Sequence, residues 1–311
     1  MVRWQVHVDA LYESLPPTMD HSLRRAWLAL ILGLCAISAS PIIVKLAGVP
    51  GTTSAFYRVF IGFVVLAPWL WRRRTPLPQG RVRWAIIAGG VFFGIDLVLW
   101  NESLLRAPAT SATLMANNAP LWVGLAAMLI FKERLTRFYW IGLAIAMAGM
   151  AVVTQGDLQI NPNDALGLWL AAGASICYAG YLTSTGKARS GTDTVTFMVW
   201  SLLIASIVIL PFAYWLQTPL WGFGWQSWAY IIGLGLFSQV IGWLAINYAL
   251  GHLPASITSV TLLGQVVIAA LLAVPLLNEP IRLSQIIGGI CIVIGILIVG
   301  RRGTARPSPS S

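Results

Sequence analysis

The feature that most constrains this chain is a series of long apolar runs, divided by short segments that hold nearly all of the charges. Each run has about 20 residues, enough for an α-helix to cross the ~30 Å hydrocarbon core of a bilayer. Only 10% of the residues are charged, whereas a water-soluble protein carries about 25%, so a soluble fold is excluded. The sequence predicts an all-α integral membrane protein with ten transmembrane helices, near residues 26–46, 53–71, 84–105, 108–130, 137–153, 166–186, 194–216, 227–249, 254–277 and 283–300.

The basic residues predict the orientation of these helices. If the N-terminus is cytoplasmic, 16 Lys and Arg residues fall on the cytoplasmic side and 3 on the outside. Because cytoplasmic loops carry the excess of Lys and Arg, we expect a multi-pass protein of the inner (plasma) membrane with both termini cytoplasmic. Residues 1–24 and 301–311 are then cytoplasmic tails, the second one disordered, and Met19 is an alternative start. Topology also accounts for the net charge of +10, so no nucleic-acid partner is expected.

The chain also repeats itself at an offset of 146 residues. The offset relates Asn101 to Asn247, Pro108-Ala109 to Pro254-Ala255, Gly142 to Gly288 and Gly149 to Gly295. We therefore expect two five-helix repeats, at 26–153 and 166–300. Because five is an odd number of spans, the second repeat starts on the opposite side of the membrane and is inverted relative to the first. Inverted repeats are typical of secondary transporters, whose substrate site lies between the halves near the midplane. Pro120 has Val266 as its counterpart, so the sequence does not predict the same kink in both halves.

Several short motifs resemble those of one transporter family. They are Ser54-Ala55-Phe56-Tyr57-Arg58, Pro108-Ala109-Thr110-Ser111-Ala112, Asn118-Ala119-Pro120, Lys132-Glu133-Arg134-Leu135 and Asn278-Glu279-Pro280-Ile281. In combination, over roughly residues 26–300, they resemble the drug/metabolite transporter superfamily, EamA-type branch. The resemblance implies membrane transport in a branch that includes exporters of amino acids, aromatic ones among them. It does not identify the substrate.

Charged residues inside apolar runs need individual explanations, because a charge at the bilayer centre is costly. Arg58 and Glu102 lie at similar depth near the outer ends of consecutive spans, which predicts a structural ion pair. Asp96 lies near the midplane without an obvious partner, so it is either functional or buried in its protonated form. Pro41 removes a backbone hydrogen bond and predicts a helix kink, with either a structural or a cavity-lining role.

Polar and aromatic residues at mid-span depth predict a central substrate site. Asp96 and Trp100 are four residues apart and share a helical face, and Gln239 and Trp243 form a similar stripe in the repeat-related span. Each residue taken singly is more often a hydrogen-bonding contact between helices, but two stripes in repeat-related spans favour a central cavity. The full set predicted to bind substrate is Asp96, Trp100, Asn117, Asn118, Tyr178, Gln239, Trp243 and Gln265.

The chemistry of this set restricts the cargo. Phosphorylated substrates require several basic groups, and a small cationic-drug pump is expected to hold an acid in the first span, where none occurs. Amides, hydroxyls and tryptophans around at most one carboxylate match a small zwitterion with an apolar side chain, and an amino acid fits best. Efflux of drugs or nucleobases is the alternative. Whether transport is proton-coupled or passive stays open.

Two other classes of function fit less well. An intramembrane enzyme needs a catalytic set, but no HExxH or GxGD motif occurs, and His252 has no second histidine nearby. A channel or scaffold is a distant alternative, against which the inverted repeat argues. We expect no enzyme activity, no cofactor and no metal. The expected partners are a small-molecule substrate and the lipid bilayer, with a monomer predicted and a dimer left open.

Overall fold

The structure is a computed structural model that describes residues 21–107, 109–154, 164–277 and 282–303. All regular elements in these ranges are helices. The predictions for residues 1–20, for most of the 154–164 loop and for 304–311 lie outside the described residues, as do Pro108 and the 278–281 motif. The last helix includes Arg301 and Arg302, which had been assigned to the tail. Basic side chains in the last turn of a helix interact favourably with its dipole, which explains the extension.

The described part of the chain contains ten helical spans, and each of them matches one predicted apolar run. The first five are His21–Ser38 with Ser40–Ala47, Gly51–Arg73, Gly80–Arg106, Ala109–Ala116 with Ala119–Leu129, and Arg137–Thr154. The second five are Ala165–Arg189, Thr194–Trp215, Trp225–Leu250, Ala255–Leu262 with Gln265–Leu277, and Leu283–Arg302. All ten are long and apolar enough to span a membrane. The prediction of ten transmembrane helices is confirmed, and the helices are called spans 1 to 10 below.

Spans 4 and 9 are both interrupted near their middles, at positions related by the repeat. Span 4 breaks at residues 117–118 and span 9 at 263–264, which is the same offset of 146. The sequence did not predict this symmetry, because it linked a kink to Pro120 alone. In span 9, backbone bonds from Leu263 to Val260 (3.1 Å) and from Gly264 to Thr261 (3.0 Å) tighten the turn instead. The glycine has a low helix propensity and so makes the break easier to form.

Spans 1 and 8 are irregular as well. Span 1 is interrupted at Ala39, two residues before Pro41, and the Ser38 hydroxyl donates to the Leu34 carbonyl at 2.6 Å. Span 8 contains a π-helix at Leu234–Gly242 between two α-helical segments. Irregular backbone at membrane depth is tolerated where it is buried in protein or lines a cavity. Four irregular spans therefore point to the middle of the protein as the place to look for a site.

Small residues set the closest helix contacts. Spans 5 and 10 approach each other at Gly149 and Gly288, where a Cβ added to Gly288 would lie 2.3 Å from the Gly149 carbonyl oxygen. At one end of the same interface Gly142 and Gly295 are equally close, since a Cβ added to Gly295 would lie 2.4 Å from the Gly142 carbonyl oxygen. Such approach drives helix association in lipid, where the hydrophobic effect does not. Glycines related by the internal repeat thus pack the last helix of one half against the last helix of the other.

The outer surface has the pattern of a protein embedded in lipid. Trp71 and Trp84 are exposed at one end of spans 2 and 3, and Trp215 and Trp225 are exposed at the opposite end of spans 7 and 8. Between these levels most of the exposed side chains are aliphatic, as along span 10 at Ile286, Ile290 and Leu297. Tryptophans at both interfaces with aliphatic residues between them form an aromatic belt. The chain is therefore a multi-pass membrane protein.

Candidate functional site

A cavity of about 320 Å³ lies in the middle of the helix bundle, extending toward the level at which span 1 ends and span 2 begins. Seven of the ten spans contribute to its wall, drawn from both repeats. Its lining residues are Ile37, Ser38, Ser40, Pro41, Arg58, Phe93, Asp96, Leu97, Trp100, Thr113, Ala116, Asn117, Tyr178, Trp243, Gln265, Val266 and Ala269.

Both charged residues of the cavity come from the first repeat. Arg58 on span 2 and Asp96 on span 3 line the same cavity, and their charges interact electrostatically. The predicted ion pair of Arg58 with Glu102 does not form. Glu102 instead forms a salt bridge with Arg106, one turn along the same helix, and accepts a hydrogen bond of 3.0 Å from the Thr52 hydroxyl.

Depth alone suggested the wrong partner for Arg58, because the direction of its long side chain decides the contact. The guanidinium reaches toward span 8, where Nε donates to Gln239 Oε1 at 3.3 Å and Nη2 donates to Ser238 Oγ at 3.2 Å. Ser238 and Gln239 are consecutive residues of the π-helix, and π-helical turns occur frequently at functional sites. The π-helix therefore holds the arginine in place from beneath the cavity wall.

The interruptions of spans 4 and 9 meet in the cavity wall. Gln265 Nε2 donates to Asn117 Oδ1 at 2.9 Å, which links the two repeat-related spans directly. Asn118 points elsewhere, because its Nδ2 donates to the carbonyl oxygens of Leu114 (3.1 Å) and Met115 (2.9 Å). The Asn118 backbone N–H donates to Met115 O at 3.2 Å and leaves the Leu114 carbonyl without its usual helical donor, so the Asn118 side chain satisfies the backbone at the break and does not line the cavity.

Aromatic rings form one side of the cavity. The Trp243 ring contacts Tyr178 edge-to-face at 5.9 Å between centroids and contacts Phe93 in the same manner at 5.1 Å. Behind this wall the Tyr181 hydroxyl is hydrogen-bonded to the Asn247 amide, with Asn247 Nδ2 donating at 2.8 Å. The buried pair anchors span 6 to span 8, so the rings facing the cavity are held in fixed orientations.

Six of the eight residues predicted to bind substrate line the cavity. The exceptions are Asn118, which satisfies the helix break, and Gln239, which is fully buried against Arg58. Arg58, which had been assigned to an ion pair, also lies in the wall, as does Pro41, for which a cavity-lining role had been left open. Reasoning from the sequence missed several further lining residues, although the serines beside Pro41 and the position of Phe93 one turn before Asp96 were available signals. The missed residues with polar or aromatic side chains are Ser38, Ser40, Phe93 and Thr113.

The described residues contain no cluster of three or more His, Cys, Asp or Glu side chains that would hold a metal ion. The side chains of the cavity wall supply one cationic group, one carboxylate, an amide pair and flat aromatic surfaces. A few polar groups among apolar and aromatic side chains are typical of small-molecule sites.

Comparison with known proteins agrees with this architecture. The chain is 24% identical over 284 residues to an S-adenosylmethionine uptake transporter of Rickettsia bellii, which covers 90% of this chain and 94% of that protein. It is 24% identical over 218 residues to a probable terminal-alkyne amino-acid exporter of Streptantibioticus cattleyicolor, covering 69% and 71%. An uncharacterized transporter of Bacillus subtilis is 25% identical over 271 residues, covering 86% and 88%.

The fold is also that of a solved crystal structure, with a TM-score of 0.76 and 20% sequence identity, covering 91% of this chain and 99% of the other. The model of the EamA-like transporter family matches this chain twice, at residues 24–155 and 165–301. Each match covers one five-helix half. Two matched halves, ten spans and a central cavity agree, and this protein belongs to the EamA-like transporter family.

Proposed function

We propose that this protein is a secondary transporter that exports small neutral or zwitterionic metabolites, most of all amino acids with large apolar or aromatic side chains. The observation that carries the proposal is the central cavity, which lies between the two repeats and combines Arg58 and Asp96 with aromatic walls. Its volume of about 320 Å³ is at the lower end of the range for small-molecule sites. A small metabolite fits such a space.

The chemistry of the wall favours amino acids over other small molecules. Trp100, Trp243 and Phe93 offer flat apolar contact surface, which suits large side chains. The Asn117–Gln265 amide pair offers neutral hydrogen-bonding groups. Among the relatives, both substrates named in the transporter descriptions contain an amino-acid group, S-adenosylmethionine in one and a terminal-alkyne amino acid in the other. Their similarity to this chain supports a substrate of the same class.

The proposed mechanism is alternating access, with both termini in the cytoplasm. The distribution of basic residues, 16 on the proposed cytoplasmic side and 3 on the outer side, supports this orientation. The cavity then lies at mid-depth and extends toward the outer side along spans 1 to 4, where most of its residues are nearer the outer helix ends. Rocking of one five-helix repeat against the other exposes such a site to each side in turn.

The test is counterflow into proteoliposomes made with purified protein. Vesicles are loaded with an excess of one unlabelled metabolite, and uptake of the labelled compound is followed. We expect loading with phenylalanine to accelerate uptake of labelled phenylalanine, because an alternating carrier exchanges its substrate. A panel of nucleobases and cationic drugs is measured in parallel. Acceleration by those compounds and by no amino acid would overturn the substrate class, and equilibration without acceleration would indicate a channel.

A further inference from the structure

We propose that the cavity recognises the two charges of an amino acid separately, with Asp96 binding the α-ammonium group and Arg58, together with the Trp243 indole N–H, binding the α-carboxylate. The inference rests on the proposed function and deepens it, because it assigns a role to each charged residue. It also predicts which molecules are rejected. A simple cation or a simple anion satisfies only one of the two charges.

Arg58 is held in place by hydrogen bonds, but these bonds do not use all the donors of its guanidinium group. Its side chain is 6% exposed, and its hydrogen bonds use Nε and Nη2, toward Gln239 and Ser238. No hydrogen bond from Nη1 to another described residue accompanies them, and the guanidinium forms no salt bridge within the described part of the chain. Buried charges are normally paired. The free edge of the guanidinium therefore offers a site for an anionic group of a ligand.

Asp96 is the complementary group. The residue is half-buried on span 3 and lines the cavity, and its carboxylate accepts no hydrogen bond from any residue that the structure describes. Arg58 interacts with it electrostatically, without a salt bridge between the two side chains. An unbonded carboxylate beside a cavity is a site for an ammonium group, which brings three donors and a positive charge.

The separation of the two charges suits a zwitterion. Gly51 at the start of span 2 lies against Asn101 of span 3. Arg58 follows Gly51 by seven residues and Asp96 precedes Asn101 by five, so the two groups differ in depth by roughly 3 Å. A direct salt bridge between them does not form. A ligand that carries both charged groups on one carbon atom is suited to bridge them.

Two further polar groups in the wall lack partners. The Trp243 Nε1 and the Ser40 hydroxyl are buried, and neither has a hydrogen-bond partner in the described part of the chain. Both residues are 5% exposed and line the cavity. Leaving a buried donor unsatisfied is unfavourable. The indole N–H is a donor only, so its natural ligand is an acceptor such as the carboxylate.

The remaining wall accommodates the side chain of the amino acid. Phe93 and Tyr178 contact the Trp243 ring, and Trp100 lies one helical turn after Asp96. An ammonium group held at Asp96 places the rest of the molecule among these rings. The aromatic side therefore selects for size and apolar character, whereas the charged pair selects for the amino-acid group itself.

The inference is tested by competition in the counterflow assay with labelled phenylalanine as the probe. The competitors are unlabelled phenylalanine, phenylalanine amide, which lacks the carboxylate, and N-acetylphenylalanine, which lacks the ammonium group. With the unmodified protein we expect each analogue to require about a tenfold or higher concentration than phenylalanine for equal inhibition, because each leaves one buried charge without a partner.

The variants assign each charge to its residue. Asp96→Asn should abolish the discrimination against N-acetylphenylalanine and keep the discrimination against the amide, and Arg58→Gln should do the reverse. Glu102→Gln is the matched control, because it removes a buried charge outside the cavity and should leave both preferences unchanged. Folded yield is followed by size-exclusion chromatography. Where Arg58→Gln does not fold, Trp243→Phe decides, since it keeps the ring and should reduce the preference for phenylalanine over its amide.

The outcomes separate the two proposals. Counterflow of phenylalanine that both analogues inhibit as strongly as unlabelled phenylalanine does would overturn the charge assignment and leave amino-acid transport standing. Loss of both preferences in the Glu102→Gln control would overturn it as well, by showing that a charge outside the cavity governs them. Absence of counterflow for every amino acid would overturn the proposed function, and the charge assignment with it.

Discussion

Gly288 provides the sharpest test of how this fold is held together. The substitution Gly288→Ala adds a Cβ that would lie 2.3 Å from the Gly149 carbonyl oxygen, whereas ordinary contacts of this kind begin at 3.4 Å. The difference of 1.1 Å must be absorbed by separating spans 5 and 10, because the obstacle is backbone. Packing of this kind is a main source of helix association in lipid, so the change should be strongly destabilising.

The adjacent residue on the same helix is the matched control. A Cβ added at Gly289 meets Val267 Cγ1 at 3.6 Å, which is ordinary van der Waals contact. Gly289→Ala therefore gains helix propensity, worth up to about 1 kcal/mol, without a clash. Overpacking costs about 1–3 kcal/mol. At ~2–4 °C per kcal/mol, the Tm of Gly288→Ala should lie roughly 2–12 °C below that of Gly289→Ala.

The measurement is the loss of monodisperse protein after heating in detergent, followed by tryptophan fluorescence on size exclusion. Gly149→Ala should behave like Gly288→Ala, because its Cβ would lie 2.6 Å from the Gly288 carbonyl oxygen. The double variant should lose less than the sum, since one separation of the helices relieves both clashes. Equal Tm values for Gly288→Ala and Gly289→Ala would refute the assignment of this contact.

Three further predictions concern other parts of the molecule. A double-mutant cycle of Asn117→Ala and Gln265→Ala should give a coupling of about 0.6 kcal/mol, and additive losses would contradict the hydrogen bond. Asp193→Ala removes the N-cap of span 7 and should cost ~0.5–2 kcal/mol. Burial opposes ionisation of Asp193, but hydrogen bonds from Thr196 and Val195 hold its pKa below the usual 3.8. The difference in stability between the unmodified protein and Asp193→Ala should therefore shrink as the pH falls below that value. A difference that stays constant with pH would refute this role. In a cysteine-free background, cysteines at Gln79 and Gln226 should label from the inside and the outside respectively, and labelling from one side would contradict the topology.

The fold was predictable because its determinants are long and repetitive. Ten apolar runs define ten helices, and the offset of 146 residues relates the two halves before any coordinate is known. The two helix breaks, at residues 117–118 and 263–264, are also separated by 146 residues. A proline marks only the break in span 4, whereas the break in span 9 occurs at Leu263 and Gly264 without one, so prolines alone do not predict it.

The sequence predicts the site only where membrane depth and helical periodicity determine the position of a side chain. Those two quantities correctly predicted that Asp96, Trp100 and Trp243 line one cavity, because residues on the same helical face at the same depth point to the same space. They did not predict the contacts of Arg58, whose long side chain has several partners within reach. Its actual partner, Gln239, is presented by a π-helix that no periodic pattern in the sequence reveals.

The division of the site between the repeats has a consequence for the proposed mechanism. Both charges belong to the first half, and the repeat counterpart of Asp96 is Gly242, which offers no side chain. The second half contributes the Trp243 indole and the Gln265 amide instead. If the halves rock against each other, Arg58 and Asp96 move together, and the hydrogen bonds from Arg58 to Ser238 and Gln239 of the second repeat must change. We therefore expect the first repeat to retain the charged part of the substrate in both orientations, with these bonds between the repeats as the contacts that distinguish them.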